Sequence, residues 1–149
     1  MKNIIASTII FSIAFTGSCN SQKNTENNQN KSVITDQKYD IEKIELTEQT
    51  RGTNKKTTFT PTAITTLLNE TSKVSDLSAN NWKSIVEEAS LIDLNKISSY
   101  PSPTTGRFSD RALSSTIIIT HKGKTFQSSE FDAGTPPKEL EALYQLLKK

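Results

Sequence analysis

The chain has 149 residues, of which 33% are hydrophobic and 23% charged, and a formal net charge of +2 at pH 7. That length gives room for one domain with its own core, and the near-balance of charge excludes the clustered positive surface by which proteins hold nucleic acid. Five dispersed glycines make no phosphate-binding loop, and one cysteine, Cys19, leaves no pair for a disulfide.

The chain opens with Lys2 and an apolar run from Ile4 to Phe15, interrupted by Ser7, Thr8 and Ser12. The run is too short for a bilayer, which takes about 20 apolar residues, but has the length of a secretory signal. Thr16-Gly17-Ser18-Cys19 then places small residues before the thiol. These residues resemble a bacterial lipoprotein signal peptide. The resemblance implies a signal over 1–18 and a lipidated Cys19 as mature N-terminus. The usual lipobox leucine is replaced by Thr16. The competing reading is plain secretion with cleavage near Gly17 or Ser18. Two acyl chains, such as palmitate, hold a protein to a membrane where one binds only reversibly. No cofactor is expected beyond that lipid. Ser21-Gln22-Lys23-Asn24 lacks an acidic export run, which points to the bacterial cell envelope and an outer membrane facing the periplasm.

Residues 19–39 read as the lipidated cysteine and a flexible polar linker, too poor in apolar groups to offset the entropy of ordering. Its typical reach is roughly 25 Å. A single globular α+β domain is expected over 40–149, where 14 Lys or Arg balance 14 Asp or Glu.

Within the domain, Ile41, Ile44 and Leu46 fit a strand or a helix; the turn-rich stretch Thr50–Lys56 favours strand. Thr57–Thr60 reads as a second strand ended by Pro61, and Ile64–Leu68 as a short third. Ser78 is placed to cap a helix whose Trp82, Ile85, Val86 and Ala89 share one face. Leu91–Ile97 turns and sends three apolar residues inward, and residues 98–111 form a long loop. Leu113–Thr120 is the strongest strand, with Leu113, Ile117 and Ile119 on one face. His121–Lys124 reads as a hairpin turn and Thr125–Phe131 as the return strand. Thr135 and Pro136 are expected to open a last helix carrying Leu140, Leu143, Tyr144 and Leu147. The expected fold is a two-layer α+β domain, an antiparallel sheet of four to five strands covered by two helices, in the order ββ(β)αββα.

No catalytic pattern emerges, and the chain is read as a non-enzyme. His121 is a lone histidine on a turn. Asp93, Asp110, Glu130 and Asp132 have no spacing that demands a carboxylate pair, and no serine sits in a nucleophile elbow. The informative asymmetry is 15 lysines against three arginines, Arg51, Arg107 and Arg111, all in expected loops. Arginine makes planar, bidentate bonds that lysine cannot, so each marks an internal clamp or a contact. Tyr100, Arg107, Phe108 and Arg51 are the candidate partner contacts; Arg111, Asp110, Trp82 and Leu143 are the candidate structural residues.

Thr50-Arg51-Gly52, the Trp82 helix, Ser109-Asp110-Arg111-Ala112 before Ile117-Ile118-Ile119, and Pro137 with Leu140, Leu143 and Leu147 resemble emfourin-type proteins, small inhibitors of thermolysin-like metalloproteases. The glycine pair expected after the arginine is Gly52-Thr53 here. The reading taken forward is a membrane-anchored, non-catalytic interaction domain with a protein or envelope partner. Metalloprotease inhibition, which the resemblance implies, is the alternative.

Overall fold

The computed structural model describes residues 40–149. The expected signal peptide, the Cys19 lipid site and the linker lie outside them. The elements are β1 (Ile41–Thr50), β2 (Thr53–Phe59), β3 (Ala63–Leu68), β4 (Thr71–Asp76), α1 (Ala79–Ala89), β5 (Ser114–His121), β6 (Lys124–Gln127), β7 (Phe131–Asp132) and α2 (Glu141–Leu147). Short 3-10 turns cover Ile97–Ser99, Gly106–Ser109 and Lys138–Leu140.

The α+β class holds, with seven strands rather than four or five. Their order is β4-β3-β2-β1-β5-β6, with β7 pairing the start of β5. All pairs are antiparallel. β1 is central, with Ile44 opposite Phe59 on one side and Ile119 on the other.

The ambiguity at Ile41–Ile44–Leu46 has a physical cause. The register of β1 against β5 slips between Ile41 and Lys43. A bulge adds one residue to a strand, so Ile41 and Ile44 both face inward although three residues apart. Both are buried.

β2 begins at Thr53, because the break between β1 and β2 is confined to a tight turn at Arg51 and Gly52. β4 was not expected. Its six residues are all exposed and only Val74 is apolar, so it carries no burial pattern. The expected return strand divides. Ile118 pairs with Gln127 but Ser115 with Phe131, one extra residue on the return side. There Ser128 N–H donates to Ile117 O at 2.9 Å, and Ser128 Oγ accepts from Ile117 N–H at 3.0 Å.

The helices pack on the face of Ile44, Leu46, Phe59, Ile117 and Ile119, forming one core. Ser78 caps α1 as expected, its Oγ accepting from Asn81 N–H at 3.2 Å. Ile85, Val86 and Ala89 are buried; Trp82 is only half-buried and packs on the core margin. Ile92, Leu94 and Ile97 point inward, while Leu91 is exposed.

The last helix starts later than expected. Thr135 is no cap; its N–H donates to Asp132 O at 2.8 Å. Pro136 precedes Pro137, and a residue before proline is kept out of the helical region. Pro137 itself is extended, so turning begins only at Lys138. Leu140, Leu143, Tyr144 and Leu147 are buried as expected. The last turn is tied down by Lys148 Nζ on Glu48 Oε1 at 2.7 Å.

Candidate functional site

The long loop is organised by a residue outside it. Asp132, on β7, is paired by backbone with Ser114 at the start of β5 and is 4% exposed. Its carboxylate accepts from Arg107 N–H at 2.9 Å, Arg107 Nη1 at 3.1 Å and Gly106 N–H. Burial alone pushes this carboxyl up. The Thr104 hydroxyl, the two backbone N–H groups and the guanidinium outweigh it and hold the group down at about 2. Gly106 suits this approach: a Cβ there would lie 3.0 Å from Asp132 Oδ2, so the carboxylate would have to give by a few tenths of an ångström.

Arg107 carries the brace onward. Its Nη1 also donates to Thr104 O at 2.7 Å and Ser102 Oγ at 3.0 Å. Its side chain is nine-tenths buried, with 10% exposed. Ser109 Oγ and Arg111 N–H both donate to Gly106 O at 3.1 Å, closing the turn. The Ser129 hydroxyl donates to Tyr100 O at the loop's other end.

Phe108 projects from this braced turn with 74% of its surface exposed. The Arg107 guanidinium carbon lies 4.3 Å from its ring centroid, a cation–π contact. Beside it runs a groove of about 370 Å³ between the β1–β2 turn and the loop. Asn54, Gln49 and Ser114 line it, and they lie side by side across β2, β1 and β5. Arg51 and Asp110 also line it, 3.7 Å apart and well exposed.

The expected site residues thus divide. Arg51, Arg107 and Asp110 meet around one groove, with Phe108 next to it. Tyr100 is half-buried against the core, its hydroxyl 3.5 Å from Asp93 O. Of the two expectations for the arginines, clamp or contact, Arg107 has the geometry of a clamp. Arg107, a contact candidate for which an internal clamp is the other reading, is largely buried and pairs with Asp132. Arg111, expected as structural, has an exposed side chain with no ion pair among the described residues. Trp82 and Leu143 lie in the helical layer, away from this groove. Leu143 is fully buried.

Of the other polar groups some are bonded singly, while Ser115 Oγ, Thr120 Oγ1 and His121 Nε2, like Arg107 Nε, are buried without a hydrogen-bond partner. Glu130 accepts from Ser114 Oγ at 3.0 Å, and Asp93 pairs with Lys96 at 3.4 Å. His121 ends β5 half-buried rather than solvated on a turn, tilted against Phe126. Among the described residues no three His, Cys, Asp or Glu side chains cluster as metal ligands.

The sequence reading missed Gly106 and Thr104, and weighed Asp132 only as one of a carboxylate pair. The one available signal was an aspartate set between Phe131 and Ala133 in a strand, where a charge needs a buried partner.

Fold and site together define an α+β domain with a braced, aromatic-tipped loop beside a polar groove. No protein-family model, curated protein or solved structure matches the chain.

Proposed function

We propose that this protein is a non-catalytic lipoprotein of the bacterial cell envelope, anchored through lipid on Cys19, whose domain binds a protein or envelope component with the loop around Phe108. The observation that carries this reading is the pairing of an exposed aromatic with a buried brace. A large apolar side chain left in water costs the free domain solvation. Here Asp132 and Arg107 hold the surrounding turn in place. A pre-formed contact loses little entropy on binding, and aromatic anchors supply much of an interface's energy. The membrane attachment in this reading rests on the small-residue run before Cys19.

The same bracing supports a second reading, obstruction of an envelope or secreted metalloprotease by this loop. An inhibitory loop must resist rearrangement in the enzyme's cleft, and the clamp supplies that resistance.

The test is a pull-down from native envelope with wild type and Phe108→Ala, alongside thermal melting. The contact reading expects unchanged melting and loss of the captured component. Retention of every component by Phe108→Ala overturns it. Inhibition by wild type across a panel of metalloproteases, lost in Phe108→Ala, selects the second reading.

A further inference from the structure

We propose that two copies of this chain join edge to edge through β4, in antiparallel register with Val74 on the two-fold axis, so that their sheets run on as one. Phe108 lies outside this strand and takes no part in the pairing.

β4 is a sheet edge built like an inner strand. It stands at one end of the order β4-β3-β2-β1-β5-β6, and its far side pairs with nothing among the described residues. The outer row of N–H and C=O groups on an edge is a template for another strand, and edges are commonly blunted by shortness, proline or a bulge. β4 has none of these. It is six residues long, contains no proline, and keeps register with β3 from Thr71 to Asp76 without a shift. The opposite edge, β6, has four residues. The β3–β4 hairpin also carries two of the four large apolar side chains left exposed, Leu68 and Val74, the latter by 64%.

The strand's own side chains select a second copy as the occupant. A two-fold pair of antiparallel strands sets one residue opposite itself. A strand spanning 71–76 has two such registers with five residues in overlap, centred on Lys73 or on Val74. The first puts Lys73 opposite Lys73, and like charges face to face are destabilising. The second puts Val74 on Val74, Ser72 opposite Asp76 twice and Lys73 opposite Ser75 twice. One apolar contact, two hydroxyls against carboxylates and no like-charge pair make β4 complementary to itself.

Nothing overhangs this edge. Val74 pairs with Thr65, Thr65 with Thr58 and Thr58 with Glu45, so Val74 lies on the sheet face turned away from Phe59, Ile44 and the helices. Lys73 and Ser75, on the helical side of β4, are exposed as well.

The experiment is oxidative cross-linking of the full-length chain in native membranes, with wild type as the background for Cys19. Val74→Cys is expected to give a disulfide-linked dimer, because directly opposed Cα atoms lie about 4.5–5.5 Å apart, within disulfide reach. Ser72→Cys is expected to give none, because the two copies of residue 72 are offset by four residues, roughly 13 Å. Sedimentation in detergent micelles is expected to show a wild-type dimer. Val74→Lys is expected to weaken its dissociation constant at least about fivefold, with the melting temperature unchanged. Equal cross-linking from the two cysteine positions, cross-linking of Val74→Cys to a different protein, or a monomeric wild type overturns the proposal. So does a dimer that Val74→Lys leaves as tight as before. The cysteine pair decides the register even if Val74→Lys melts lower.

Discussion

The Asp132 carboxylate holds the Arg107 guanidinium at 3.1 Å across 25 residues of sequence, and the loop around Arg107 takes its shape from that contact. Removing the cation leaves a buried carboxylate short of a donor. Removing the aromatic tip exposes only the guanidinium behind it. Arg107→Ala is therefore expected to lower the melting temperature clearly more than Phe108→Ala, and to speed proteolysis within residues 100–112. Melting and limited proteolysis on the two variants check this. Equal melting temperatures of the two variants would show that the clamp adds no more to stability than the Phe108 ring.

The same carboxyl gives an acid dependence. Its pKa is depressed from 3.8 to about 2. The folded state binds this proton less readily than the unfolded chain, so the contribution is fully present above about pH 4 and is lost as pH falls from 4 toward 2. Glu45 acts in the same direction: burial pushes it up, but Lys43 and Lys56 outweigh this and lower it. The difference between wild type and Asp132→Asn isolates the clamp. Denaturant midpoints measured from pH 6 to pH 2 are expected to converge at the acid end. Parallel curves would remove Asp132 as the titrating group.

Much of the fold was legible because periodicity reports burial. Ile117 and Ile119, Phe59, and the α2 residues Leu143 and Leu147 follow the spacing of their elements, and all are buried. β4 was not legible because an exposed edge strand has no burial to report. The bulge at Ile41–Lys43 imitated helical spacing. The candidate site was half legible: arginine scarcity singled out Arg51 and Arg107, which the fold brings to one groove. Which arginine is buried depends on Asp132, and no local pattern carries a contact 25 residues away.

The helical layer sets a graded stability test. Leu143 is 1% exposed in the core, whereas Trp82 is half-buried at its margin. Leu143→Ala is expected to cost about 2–5 kcal/mol. Trp82→Ala is expected to cost less, about 1–3 kcal/mol, because it leaves less cavity behind. Urea unfolding of both variants measures this. The reverse ranking would show that Trp82 carries the α1 face.

The anchor makes its own prediction. Cys19→Ala is expected to abolish labelling by a clickable palmitate analogue and to release the protein from the membrane fraction or leave it unprocessed. Labelled, membrane-bound Cys19→Ala would remove the lipoprotein reading.

The place of β1 at the centre of the sheet has a consequence for the order of folding. β1 to β4 form a meander of tight hairpins, each strand beside the next in sequence. These pairings close short loops and form early. The other side of β1 waits for β5, with Thr47 meeting Thr116 across 69 residues, and the last turn of α2 is tied only when Lys148 reaches Glu48 across 100. Such distant closures are slow. Until then the inner faces of Ile44, Leu46 and Phe59 have at most α1 over them and lack the cover of α2. A chain threaded through a membrane from its N-terminus would spend that interval with half a sheet made and its apolar side open, the window in which a chaperone would have to hold it.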